Sequence, residues 1–145
     1  MRIVLQRVSE ASVEVSEHII SAIGRGLLLL VGADKGDTPK NADYLADRVL
    51  GLRVFEDAAG KMNFSVSENN GEILAVSQFT LSADISKGRR PSFSTAMPPE
   101  DAQKLFEYFV VKLKEGGQTV KTGEFGAKMK VHILNDGPVT FVLEG

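Results

Sequence analysis

The sequence predicts an α+β fold: a curved or barrel-like, mostly antiparallel β-sheet with two main amphipathic helices, in a single domain over residues 1–145. Three observations carry this. Segments that alternate polar and apolar residues outnumber segments with helical periodicity. The run Leu27-Leu28-Leu29-Leu30-Val31 is short and apolar on both faces, as a strand buried on two sides must be. Only two segments repeat apolar residues at the spacing of a helix face, so strands dominate and the helices must pack against them.

Taken in order, Arg2 to Val15 alternates in a way that suits a hairpin of two half-buried strands, with Ser9-Glu10-Ala11 as its turn. A third strand runs through Ile19, Ile20 and Ile23, and the central one follows Gly24-Arg25-Gly26. Thr38 offers an N-cap and Pro39 suits the first helical position. Ala42, Leu45, Ala46, Val49 and Leu50 then form one apolar stripe. A second helix starts near Pro98-Pro99-Glu100-Asp101, carries Ala102, Leu105, Phe106, Phe109, Val110 and Leu113 on one face, and stops at Gly116-Gly117. Strands are expected at about 118–122, 127–134 and 139–143, the last pair separated by Asn135-Asp136-Gly137-Pro138.

Composition narrows the function classes. A net charge of −2 is not that of a general polyanion binder, so any contact with nucleic acid must be local. Without cysteine there is no disulfide, thiolate nucleophile or cysteine zinc site, which fits a reducing, cytoplasmic setting. No apolar run approaches the ~20 residues that span a bilayer. Gly-x-Ser-x-Gly, Walker and His-Glu-x-x-His patterns are missing, and neither His18 nor His132 sits in a pattern that marks a site. Neither metal nor cofactor is expected. Asp34, Asp37, Glu56 and Asp57 read as solvated turn residues.

Three stretches remain. In the strand register, Leu74, Val76, Gln78 and Thr80 share one face, and Ile73, Ala75, Ser77, Phe79 and Leu81 the other. Polar groups at the end of such a strand either satisfy the terminus or stand beside a cleft where released backbone N–H groups bind an oxyanion. Lys87-Gly88-Arg89-Arg90-Pro91 is either a solvated loop or a phosphate clamp. Phe93, beyond it, reads as a core residue more readily than as a base-stacking one. Asn135-Asp136-Gly137-Pro138 reads as a hairpin turn. Its proline is odd there, because it removes a donor where a strand should begin, and an X-Pro bond is the place where a cis peptide costs little.

Ser77-Gln78-Phe79-Thr80-Leu81 and Asn135-Asp136-Gly137-Pro138-Val139-Thr140 together resemble the two signature motifs of the D-aminoacyl-tRNA deacylases. The likeness extends to the opening MRIVLQRVSEASVEV, to KGRRPSF and to GEFGAKMKVHILNDGPVT. A sister group that deacylates other mischarged tRNAs differs in the second motif, so the intact Gly137-Pro138-Val139-Thr140 favours the D-selective branch.

The resemblance implies a homodimer with active sites at the subunit interface, where a cis Gly137-Pro138 reaches into the partner's site and its carbonyls hold the substrate α-amine. Asn135, Val139 and Thr140 belong to that motif. An L side chain would collide with the backbone there, while a D side chain projects outward and glycine passes. At the first motif, the Phe79 N–H would stabilise the oxyanion, with Ser77 and Gln78 placing the terminal adenosine and the RNA's 2′-hydroxyl helping to activate water. Thr80 as a nucleophile is the rival mechanism, although the sequence offers it no neighbouring base. Lys87, Arg89 and Arg90 would contact the tRNA. The competing classes are a non-catalytic tRNA-binding module and a small-molecule esterase.

Overall fold

The computed structural model describes residues 1–86 and 88–145. Its elements are β1 (Arg2–Val15), β2 (His18–Ile23), β3 (Gly26–Gly32), α1 (Pro39–Gly51), β4 (Phe55–Glu56), β5 (Met62–Phe64), β6 (Glu72–Ser77), a 3-10 turn (Phe79–Ser82), α2 (Pro99–Glu115), β7 (Val120–Thr122) and β8 (Lys130–Glu144).

The spine of the sheet is β1. One of its edges pairs antiparallel with β8 from Arg2 to Glu14. The other is shared: β3 takes Arg2 to Val8 and β2 takes Ala11 to Val15, both antiparallel. Beyond β3 the pairing becomes parallel, with β6 and then β7. Parallel neighbours need a crossover, and α1 lies in the one between β3 and β6. Across the remaining seam, Lys121 Nζ donates to the Ala22 carbonyl at 2.6 Å, so β7 meets β2 and the sheet nearly closes as a barrel.

Leu27–Val31 lies where its two apolar faces require. Ile3, Leu5, Leu27, Leu29 and Ile73 pack beneath α1 and α2 against Leu45, Val49, Leu105, Phe109 and Leu113. Val8, Val13, Leu28, Leu74 and Val76 fill the other side of the sheet. Each such side chain contributes about 1.5–3 kcal/mol by leaving water, so the two helices and the curved sheet hold one another. Each helix opens with a proline, and α2 closes with the Gly116 N–H donating to the Lys112 carbonyl at 3.2 Å. At α1, Asn41 Oδ1 accepts from the Thr38 backbone N–H at 2.7 Å and from its hydroxyl at 2.8 Å. No helix among the described residues is long and apolar enough to cross a membrane.

Two expected turns are not turns. Ser9-Glu10-Ala11 lies inside the continuous β1, and Asn135-Asp136-Gly137-Pro138 lies inside the continuous β8. The β1–β8 register slips at both places: Gln6 faces Thr140, Val8 faces Asn135 and Glu10 faces Leu134. Extra residues in one strand flip the phase of the polar–apolar alternation just as a turn does, so the sequence pattern alone does not separate a bulge from a turn.

Candidate active site

Because β3 and β6 are parallel, both chains leave the sheet on the same side. The ladder closes with Val31 opposite Ser77 and with the Gln78 N–H donating to the Val31 carbonyl at 2.7 Å. Having lost its neighbour, the chain coils into the 3-10 turn, so the strand register expected for Gln78 to Leu81 stops at Ser77. The turn folds over Gly32, where a Cβ would stand only 2.9 Å from the Gln78 carbonyl oxygen. Arg2 Nη1 donates to the Leu81 carbonyl at 2.9 Å, and Ser82 Oγ to the Ala33 carbonyl at 3.2 Å, which pins the turn to the end of β3.

Beside this turn lies a largely apolar cavity of about 710 Å³, lined by Ser77, Gln78 and Phe79 on one wall and by Phe106, Phe125, Met129 and Val131 among others. As the first residue of a helical turn, Phe79 carries an N–H with no acceptor inside that turn, and no other backbone acceptor among the described residues takes it. Phe93 is not in the core. It is 39% exposed, packs on the 60% exposed Phe79 with ring centroids 4.9 Å apart, and lines the cavity. The ring lies in the loop between the 3-10 turn and α2, where it packs on the exposed Phe79 and not under the helices. Thr80 is exposed and does not line the cavity; its Oγ1 accepts from Gln78 Nε2.

The loops at the mouth are fastened to one another. The Lys35 N–H donates to the Thr95 carbonyl at 2.8 Å, the Met97 N–H to the Ala33 carbonyl at 3.0 Å, and Thr95 Oγ1 to the Ser82 carbonyl at 2.7 Å. Asp34 and Asp37 belong to this fastening and are not solvated turn residues. Asp37 accepts from the Met1 amino group and from the Asp34 N–H, each at 2.6 Å, and Asp34 stands 3.8 Å from Arg2 Nε. A two-way backbone pair between Asp84 and Ser92, at 2.8 and 2.9 Å, pinches the base of the basic loop. Hydrogen bonds from Ser86 hold the Asp84 carboxyl below its ordinary pKa. Arg89 and Arg90 are exposed on that loop, while Lys87 lies outside the described residues.

The second motif is an excursion in β8. Arg7 alone stands opposite Asp136, Gly137, Pro138 and Val139, and its side chain is 5% exposed. The guanidinium donates to the Val54 carbonyl at 2.6 Å and to the Asp136 carbonyl at 3.2 Å, with Glu56 at 3.5 Å and the Asp136 carboxylate at 3.3 Å. Glu56 is therefore a partner to a buried cation and not merely a turn residue. Asn135 Nδ2 closes the excursion by donating to the Arg7 carbonyl at 2.8 Å and to the Val139 carbonyl at 3.2 Å. Gly137 has φ +134° and is joined to Pro138 by a cis peptide bond. Val139 is buried and anchors the far side, while Gly137, Pro138 and Thr140 are exposed. None of residues 135–140 lines the cavity.

The family model described as D-Tyr-tRNA(Tyr) deacylase matches residues 4–144 of this chain. The chain belongs to that family. A D-aminoacyl-tRNA deacylase of Geotalea uraniireducens is 59% identical over 99% of this chain and 93% of its own length. A solved structure named c-Myc DNA Unwinding Element Binding Protein is 47% identical, with a TM-score of 0.95 over 100% of this chain and 99% of that one. A second, named as a probable eukaryotic D-amino acid tRNA deacylase, shares the fold at 18% identity, with a TM-score of 0.83 over 99% and 98% of the two chains.

Within this deacylase fold, the sequence reading missed Arg7 and most of the cavity wall. Arg7 left a trace, since it follows Ile3 and Leu5 on the inward face of β1, where a cation has no place unless it is paired. Phe125 and Met129 left none, because they reach the cavity from irregular chain between β7 and β8.

Proposed function

We propose that this protein hydrolyses the ester of D-aminoacyl-tRNA, releasing the free D-amino acid and tRNA and rejecting L-aminoacyl esters. One observation carries the reading most: Ser77, Gln78 and Phe79 form a wall of an apolar cavity at the point where β6 surrenders its backbone N–H groups. The ester carbonyl is placed against the Phe79 N–H, which stabilises the oxyanion as water adds to the carbonyl carbon. The 3′-oxygen leaves with a proton, and the neighbouring 2′-hydroxyl assists the water. Ser77 and Gln78 position the terminal adenosine. In this reading Thr80 has no nucleophilic role, which is supported by its hydroxyl accepting from the Gln78 amide and having no basic partner among the described residues.

The chiral gate in this reading is Gly137-Pro138 of a second copy, whose carbonyls hold the α-amine. Two features support a site shared between copies. The excursion is exposed and braced by Arg7 and Asn135, yet it does not line its own chain's cavity. On the same strand, Ile133, Leu134, Phe141 and Val142 are exposed at 42%, 55%, 38% and 66%, an apolar surface suited to a second subunit. Recognition then uses atoms common to every amino acid, so side-chain identity has little weight and glycine leaks through. Arg89 and Arg90, exposed on the basic loop, steer the tRNA.

The test is deacylation of D-Tyr-tRNA, L-Tyr-tRNA and Gly-tRNA side by side. Loss of the D and glycyl esters with the L ester intact is expected. Equal D and L rates would sink the chiral reading, and tight binding without turnover would favour a tRNA-binding module. Turnover of free D-amino acid esters that carry neither RNA nor adenosine would favour an esterase.

A further inference from the structure

We propose that Lys35 forms a phosphate subsite at the mouth of the cavity and binds the phosphodiester that joins the substrate's terminal nucleotide to the rest of the RNA. This rests on the deacylase reading above. Among the described residues, Lys35 is the only one with a charged side chain that lines the cavity; the rest of the lining is apolar apart from Ser77 and Gln78. A nucleoside fits such a lining, but the charge on its 5′ side does not and must meet a cation or water at the rim.

Strand pairing puts Lys35 on the right rim. The loop that carries it leaves β3 three residues beyond Gly32, and the Phe79 turn leaves β6 immediately beyond Ser77, on the same side of the parallel pair. Phe79 and Lys35 both line the cavity, so with the ester at the Phe79 N–H the phosphodiester is assigned in this proposal to the Lys35 loop. That loop is held in place by the Lys35 N–H to Thr95 bond and by the bridge between Asp34 and Ala96. The neighbouring carboxylates are already engaged: Asp37 by the Met1 amino group and the Asp34 N–H, and Asp34 by Arg2 at 3.8 Å. The ammonium is exposed, with no carboxylate partner among the described residues, and an ammonium of this kind is an effective point-charge ligand for phosphate.

The experiment compares Lys35→Ala and Lys35→Arg with the wild-type chain on two substrates: a D-aminoacyl-tRNA, and the same D-amino acid esterified to adenosine without phosphate. For the tRNA, Lys35→Ala is expected to raise KM about five- to tenfold with kcat unchanged. The slope of log KM against log salt should fall by about 0.7, the share of one single-strand phosphate. Lys35→Arg restores KM, and the adenosine ester is indifferent to both substitutions. An unchanged KM for the tRNA, or an equal rise on both substrates, would overturn the phosphate assignment while leaving the deacylase reading intact. A wild-type chain inert toward both substrates would overturn the deacylase reading itself, and this inference with it.

Discussion

The cavity at the end of β6 and the excursion in β8 are built by opposite means. The cavity is concave and apolar, assembled from residues of β3, β6, the 3-10 turn, α2, β8, the N-terminus and three loops. The excursion is convex and exposed, and what it presents is backbone, held from behind by Arg7 and Asn135. In the proposed reading the first supplies a wall for a nucleoside and an N–H for an oxyanion, and the second supplies carbonyls for an amine. Within one chain neither completes the other, which is the physical ground for placing the second motif in a neighbouring subunit's site.

The sharpest way to break the comparison is to disable each region in a different copy. Ala127→Trp fills the cavity from a loop, and Gly137→Ala puts a Cβ 2.8 Å from the Val139 backbone nitrogen at a φ that L residues avoid. Each variant alone is expected to be inactive. Mixed after subunit exchange, they regain about a quarter of wild-type activity, because half the dimers are mixed and one site in each is intact. No recovery, with exchange verified by size and mass, would mean that both regions act from the same chain.

Arg7→Met comes next. It strips the Val54 and Asp136 carbonyls of their donor and leaves Glu56 and the Asp136 carboxylate without a cation. The expected cost is about 3–5 kcal/mol in denaturant unfolding. In the protein that remains folded, kcat/KM is expected to fall at least about a hundredfold through misplacement of the excursion. Wild-type activity in this variant would show that Arg7 braces the fold and nothing else.

Thr80→Ala sharpens the cavity side. It removes a hydroxyl that accepts from Gln78 at the exposed rim, so a loss of less than about tenfold in kcat is expected, together with normal tRNA binding. A folded variant that binds tRNA but never turns over would restore Thr80 as nucleophile.

The smallest effect belongs to the barrel seam. The Gly24 N–H and then Lys121 hold the Glu72 carboxyl below its ordinary pKa. A depressed folded-state pKa stabilises above the unfolded value and loses that contribution as pH falls through the folded one. Glu72→Gln should therefore cost about 0.5–1 kcal/mol at neutral pH and nothing once the wild-type carboxyl is protonated. An equal deficit at both ends of a pH series of melts would remove the carboxylate from the account.

How legible this was in the sequence differed by element. Leu27–Val31, the α1 stripe from Ala42 to Val49 and the α2 stripe from Leu105 to Leu113 were legible, because periodicity and caps are local properties of the chain. Ser9-Glu10-Ala11 and Asn135–Pro138 were misread as turns, because a phase slip looks the same whether the chain reverses or bulges. Phe93 was misread because an apolar ring carries no mark of whether a core or a rim awaits it.

From its residues alone, then, this chain's fold class, its two helices and both motifs were determined, since periods, caps and motif chemistry depend on neighbours along the chain. Tertiary structure decided that β1 and β8 run unbroken past their polar interruptions and that Arg7 stands behind Gly137-Pro138. It also brought Phe79, Phe93 and Lys35 to one cavity. Those outcomes depend on register and strand order, which are settled by burial across the whole sheet; of them only Arg7, a cation on the inward face of β1, leaves a local trace in the chain.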